Sequence, residues 1–181
     1  VRENNLKPNA IDTDFFIIDT EYQNEDNNQF DIIALHLDSE RAARRKAKAS
    51  IAIIEIKQGN GSIKTTSQNP GIRRHLEDYY QHIADNQRKK AFINDMEEIF
   101  KQKFELGLID KGLSDNTIKK LTIEEVIEFY IVLADYKTAT SALKEELKTI
   151  EGECNFFQSS FMGYGLYNWA IKSKEEILKL L

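Results

Sequence analysis

The run Ser50-Ile51-Ala52-Ile53-Ile54-Glu55-Ile56-Lys57 constrains the fold of this chain more than any other segment. It is short, rich in β-branched residues and almost wholly apolar, which reads as a strand buried in the molecule. Strand side chains alternate faces, so Glu55 and Lys57 project to one side with Ile51 and Ile53 behind them. A carboxylate and an ammonium therefore share the end of a buried strand.

Two earlier runs read as strands that belong with it. One is Phe30-Asp31-Ile32-Ile33-Ala34-Leu35 and the other Asp14-Phe15-Phe16-Ile17-Ile18-Asp19-Thr20-Glu21. The polar segment Tyr22-Gln23-Asn24-Glu25-Asp26-Asn27-Asn28 joins them as a hairpin. Antiparallel pairing of residues 29–37 with 50–58 sets the start of one strand opposite the end of the other, which brings Asp31 beside Glu55. The expectation is a three-stranded antiparallel meander over 14–58 with Glu21, Asp31, Glu55 and Lys57 converging on one edge.

An acid on the second strand followed by acid-x-Lys on the third resembles the PD-(D/E)XK nuclease superfamily, the restriction-endonuclease-like fold. The resemblance runs over about residues 14–135, with Asp31 as first acid, Glu55 as second and Lys57 as the lysine. It implies that Asp31, Glu55 and the Ile56 carbonyl hold Mg²⁺ or Mn²⁺ and that Lys57 positions the nucleophile or stabilises developing charge. Glu21, an extra acid at the same corner, reads equally as a further metal ligand or as a polar flank of the hairpin. The implied activity is metal-dependent hydrolysis of phosphodiester bonds, in DNA first, of a restriction, defence or repair type. The alternative is a catalytically inactive module of the same fold that binds or scaffolds. Phe30 stands where the superfamily motif has Pro, and no leading helix is evident in residues 1–9. RecB-like members carry Q-x-x-x-Y on the following helix. Here His75-Leu76-Glu77-Asp78-Tyr79 has that spacing with His in place of Gln, which makes His75 and Tyr79 candidates for a helix-borne part of the site.

The remaining pattern is that of an α/β fold, a mixed sheet whose N-terminal antiparallel meander is flanked by helices. A helix follows Asn69-Pro70-Gly71, with an apolar stripe through Ile72, Leu76, Tyr79 and Ile83 that resumes at Phe92, Met96 and Phe100. The polar stretch 85–90 leaves one helix or two open. Residues 128–134 read as a buried strand, with a helix over 123–134, capped by Thr122-x-x-Glu125, as the competing reading. A short helix over 141–150, a strand or hairpin over 155–167 and a terminal helix through Trp169, Ile171, Ile177, Leu178 and Leu181 complete the chain. The division is one domain over 1–181, with a core at about 14–135 and a C-terminal strand and helix extension over 138–181. The first residue is Val rather than Met, and the expectation is a piece of a longer protein.

Charge works against a polyanionic partner overall, since the net charge is −5. Local clusters offset this. Arg41, Arg44, Arg45, Lys46 and Lys48 form the densest, on a short helix expected between the second and third strands, and are read as a phosphate-gripping arm. Arg73 and Arg74 open the helix before His75, and Arg88, Lys89 and Lys90 make a third patch. His82 shares the helical face of His75 and Tyr79, while Tyr164, Tyr167 and Trp169 are candidates for stacking on bases, with core packing the favoured reading. Asp19 and Gln68 are read as structural, and Gln58 points to the other face of its strand. The expected partner is nucleic acid, DNA foremost, with no membrane, and either a dimer or other domains of a longer protein. The lone Cys154 excludes an internal disulfide and fits a reducing, cytoplasmic setting.

Overall fold

The computed structural model describes Asn5 and residues 13–109, 113–134, 141–158 and 166–181, the side chains of residues 41–43 and 169 excepted. Its elements are β1 (Phe15–Gln23), β2 (Gln29–His36), α1 (Arg41–Lys46), β3 (Lys48–Lys57), α2 (Gly71–Ala84), α3 (Asn86–Glu105), α4 (Asp115–Lys120), β4 (Thr122–Leu133), α5 (Ser141–Thr149), β5 (Asn155–Gln158), β6 (Ile171–Ser173) and α6 (Lys174–Leu180). The strands form one six-stranded sheet in the order β1-β2-β3-β4-β5-β6. The β1–β2 and β2–β3 pairs are antiparallel, as the hairpin reading expects. The β3–β4 and β4–β5 pairs are parallel, and β6 returns antiparallel to β5. This is a mixed α/β fold.

Strand β3 lies between β2 and β4 and is apolar on both faces because both faces are buried. On one face Ile33, Leu35, Ile51, Ile53, Phe129 and Ile131 pack with Leu76 and Tyr79 of α2 and Phe92, Met96 and Phe100 of α3. On the other, Ala34, Ala52, Ile54, Tyr130 and Val132 pack with Phe15 and Phe157. Glu55 and Lys57 have the same strand parity as Ile51 and Ile53, so they lie on the helix-covered face at the end of β3. The parallel β3–β4 pair requires a long crossover, supplied by α2, α3 and α4.

Three local readings are settled by the structure. The stripe after Asn69 is two helices, because Asp85 leaves the helical region (φ −87°, ψ 114°) and its carboxylate accepts the Arg88 amide as the N-cap of α3. Residues 122–133 are strand throughout. Pairing with β3 along almost its whole length outweighs the capping pattern at Thr122 and Glu125. The terminal helix is shorter than its apolar spacing suggests. Ile171 belongs to β6, paired through Phe157, and the helix begins only at Lys174, where Ser173 and Glu176 form a reciprocal capping box. The reading of residues 1–9 lies outside the described residues apart from Asn5, as does that of 159–165 within the expected hairpin.

Candidate active site

The β2–β3 register pairs Ile32 with Ile54, and one step further places Asp31 against Glu55. The contact is direct. The Asp31 amide donates to Glu55 Oε1 at 3.4 Å, and the Ile56 amide donates to Asp31 Oδ2 at 2.7 Å. In an antiparallel strand the N–H and C=O of one residue face the same neighbour, so the Ile56 carbonyl is also turned towards β2. Burial and then the nearby Glu55 charge raise the Asp31 pKa above the usual carboxylate range, against the opposing pull of the Ile56 amide and the Lys57 ammonium.

Glu55 is 1 % exposed and Lys57 6 %. Lys57 Nζ lies 3.5 Å from Glu55 Oε2. His75 Nδ1 lies 3.2 Å from the same oxygen, at charge-pairing distance but not aligned as a hydrogen bond. A buried carboxylate is tolerated only with such partners, because the cost of removing it from water is several kcal/mol otherwise. The group therefore comprises two acids, one ammonium and one imidazole drawn from β2, β3 and α2.

The position of His75 depends on how α2 begins. Gly71 has φ +58°, and a Cβ there would lie 2.3 Å from the Thr65 amide nitrogen, so the chain can pass at this point only with glycine. The Ile72 amide donates to the Ile63 carbonyl at 2.9 Å. Buried Glu146 of α5 accepts the Arg73 amide at 3.1 Å and the Thr65 hydroxyl at 2.5 Å. A carboxylate at a helix N-terminus is favourable, and this one pins the first turn of α2 beside the loop that leaves β3. Sequence reasoning missed Glu146, whose partners lie 73 and 81 residues away.

His75 and Tyr79 part company despite their shared helical face. The Tyr79 hydroxyl donates to the Ile127 carbonyl at 2.7 Å and its ring stacks on Phe129, so it ties α2 to β4 rather than reaching the acids. Burial is the main reason that its pKa rises. His82 is buried among the Tyr22, Phe30 and Phe92 rings with Nδ1 3.2 Å from Asn24 Nδ2, and burial lowers its pKa. Glu21 falls beside Asp31 in the β1–β2 register, but it is exposed, adopts φ +55°, and has no hydrogen bond or ion pair to the group among the described residues. Asp19 accepts the Thr20 amide, and the Gln68 amide donates to Thr66 in a turn, while the side chain of Gln58 is exposed.

The basic clusters divide. Arg73 and Arg74 flank His75, exposed and paired along the helix with Glu77 and Asp78. The 41–48 cluster lies at the opposite end of β3 from Glu55. Within it Arg44 donates to the Thr13 carbonyl at 2.9 Å and sits 5.5 Å over the Phe16 ring, which is packing work. Lys48 is 3.7 Å from Glu124, while Arg45 and Lys46 are exposed. In the third patch Arg88 pairs with Asp26 at 2.5 Å and Lys90 with Glu125 at 3.2 Å. Tyr167 is half-buried, and the roles read for Arg41, Tyr164 and Trp169 fall on side chains outside the described residues.

A second polar cluster, unread in the sequence, lies on the other face of the sheet. Glu128 Oε1 accepts from Ser50 Oγ at 2.7 Å, while its Oε2 accepts from the Tyr130 hydroxyl and lies 2.7 Å from His36 Nδ1. His36 Nε2 meets Asn168 Oδ1 at 2.7 Å, and the His36 ring stacks on Phe15. Among the described residues the partners of Glu128 are two hydroxyls and an imidazole that can donate to it, which marks the cluster as a structural network.

A hard divalent cation that keeps several waters and takes one or two carboxylates suits the donor set of Asp31, Glu55 and the Ile56 carbonyl. Burial first, and then the charge of Glu55 held against it, raise the Asp31 pKa, so added positive charge beside the two acids is favourable. Among the described residues no group of three or more His, Cys, Asp and Glu side chains forms a metal cluster. No described helix is long and apolar enough to cross a membrane. Comparison with protein-family models, curated proteins and solved structures finds no match.

Proposed function

We propose that the chain is a metal-dependent nuclease with a restriction-endonuclease-like core, hydrolysing phosphodiester bonds in DNA. The observation that carries this reading is the meeting of Asp31 and Glu55, 24 residues apart, with Lys57 beside them at one end of a buried sheet. Asp31, Glu55 and the Ile56 carbonyl would hold Mg²⁺ or Mn²⁺. When bound, such an ion polarises the scissile phosphate and lowers the pKa of a coordinated water. Lys57 supplies an ammonium fixed by Glu55, placed to orient a water or to meet negative charge developing on the phosphate oxygens. Arg73 and Arg74 supply exposed guanidinium groups beside the site, suited to holding phosphates on either side of the bond being cut.

The second reading is a non-catalytic module of the same architecture, and one observation favours it. Glu55 already has Lys57 and His75 at charge-pairing distance, as a carboxylate with a purely structural role would. The two readings separate at the metal. Titration of Mg²⁺ or Mn²⁺ into the protein, followed by thermal melting, should raise Tm for the nuclease as binding to the folded state accumulates. Asp31→Asn should abolish that rise. A melting temperature indifferent to both ions would favour the scaffold.

A further inference from the structure

Arg45 and Lys46 end α1, and Lys119 and Lys120 end α4. These two short helices, 74 residues apart between Lys46 and Lys120, finish side by side because the strands that follow them are neighbours. Lys48 pairs with Thr122 in the β3–β4 register, and the Thr122 amide donates to the Ala47 carbonyl at 2.9 Å. All four side chains are exposed, and none has a carboxylate within ion-pairing distance among the described residues. The nearest acid on the strands, Glu124, is engaged by Lys48, and Asp115 lies at the opposite end of α4. In a chain of net charge −5, a group of four cations without a carboxylate partner among the described residues is a local field opposed to the overall one.

We propose that Arg45, Lys46, Lys119 and Lys120 form a remote anchor for the phosphate backbone of a DNA duplex held at the candidate active site. This rests on the nuclease reading and specifies its substrate as a polynucleotide long enough to reach both places. Lys48 and Glu55 are seven residues apart on β3, so at ~3.3 Å per residue the anchor and the acids are separated by roughly 23 Å. A duplex that advances about 3.4 Å per base pair needs about seven base pairs to span that distance. Shorter substrates would reach the acids without touching the anchor.

The test is duplex binding in EDTA, which requires no cleavage, read by fluorescence anisotropy over a range of salt. The exposed triple variants Lys46→Gln/Lys119→Gln/Lys120→Gln and Lys46→Glu/Lys119→Glu/Lys120→Glu are compared with the unaltered protein, with circular dichroism as the check on folding. On a duplex of about 20 base pairs, the neutral variant should bind at least about tenfold more weakly at low salt. Its log K against log salt slope should flatten by about 0.9 for each phosphate that the variant no longer neutralises. A hairpin with a stem of about five base pairs should bind both variants as it binds the unaltered protein. Unchanged affinity for the long duplex overturns the proposal, and so does an equal loss on both lengths. It is likewise overturned if the variants lose binding only to phosphatidylglycerol vesicles, since the patch would then serve a lipid surface. Length-dependent binding without Mg²⁺-dependent cleavage would remove the nuclease reading while leaving the anchor, and cleavage indifferent to duplex length would do the reverse.

Discussion

Asp31 Oδ2 takes the Ile56 amide hydrogen at 2.7 Å, just past Ile32 and Ile54, the last pair of the β2–β3 ladder. A side chain has replaced a main-chain partner. The substitution holds one carboxylate against the end of β3, where Glu55 already stands, and leaves Ile56 itself 42 % exposed on the opposite face. The ladder thus ends in a pair of acids instead of continuing to the strand terminus.

Glu55 and Lys57 are buried, so their removal touches the fold as well as any chemistry. Glu55→Ala leaves the Lys57 ammonium out of water without its acid and should cost about 3–5 kcal/mol. Urea unfolding measures it. A loss under about 1 kcal/mol would mean that Lys57 escapes to solvent in the variant.

The pair His75 and Tyr79 should separate by readout. Tyr79→Phe removes the bond to Ile127 and should lower stability by about 1 kcal/mol while leaving any DNA cleavage within about twofold. His75→Ala should reduce cleavage and also lower Tm, because it removes one of the two partners held beside the buried Glu55. Loss of cleavage in Tyr79→Phe at unchanged stability would return the hydroxyl to the site.

The meander and its acids were legible because period-two facing and hairpin length together define a register, and register alone brings Asp31 to Glu55. Other pairings have no such local signature. Glu128 meets His36 across 92 residues and two strand pairings, and Glu146 caps a helix that begins long before it, so neither shows in a local pattern. The stripe through His75, Tyr79 and His82 correctly gives the buried face of α2, but a face does not name partners. Three residues of one stripe reach a carboxylate, a carbonyl and an aromatic cage. At Thr122 the local capping pattern pointed to a helix, and pairing with β3 prevailed.

Gly71→Ala should destabilise the start of α2. A methyl group would collide with the backbone at residues 64–65, and a positive φ would be forced on an L residue, together costing about 1–3 kcal/mol or more. Chemical denaturation gives the loss. Unchanged stability would mean that the loop before α2 yields freely.

The His36–Glu128 pair makes a prediction in pH. Burial alone would lower the His36 pKa, but the hydrogen bond and charge of Glu128 raise it, while His36, Tyr130 and Ser50 hold Glu128 low against its own burial. The His36 contribution is complete below the unfolded value of about 6.5 and fades as pH rises through its raised folded value. The Glu128 contribution is complete above about 4.3 and fades as pH falls through its lowered folded value. Their coupling, from a double-mutant cycle with His36→Ala and Glu128→Gln, should therefore be largest between about pH 4.3 and 6.5 and decline on both sides. A coupling that is flat from acid to alkaline pH would contradict the ionic pairing.

The most direct test of the account is cleavage of end-labelled duplex DNA by the unaltered protein and by Asp31→Asn. Asparagine keeps an acceptor for the Ile56 amide and removes only the charge, so the melting temperature in the absence of metal should be nearly unchanged. The unaltered protein should cut in Mg²⁺ and not in EDTA, and the variant should be slower by at least about a hundredfold, the equivalent of about 2.7 kcal/mol of lost stabilisation. Equal cleavage by the two proteins, or none by the unaltered protein in Mg²⁺ or Mn²⁺, would contradict the assignment of phosphodiester hydrolysis to Asp31, Glu55 and Lys57.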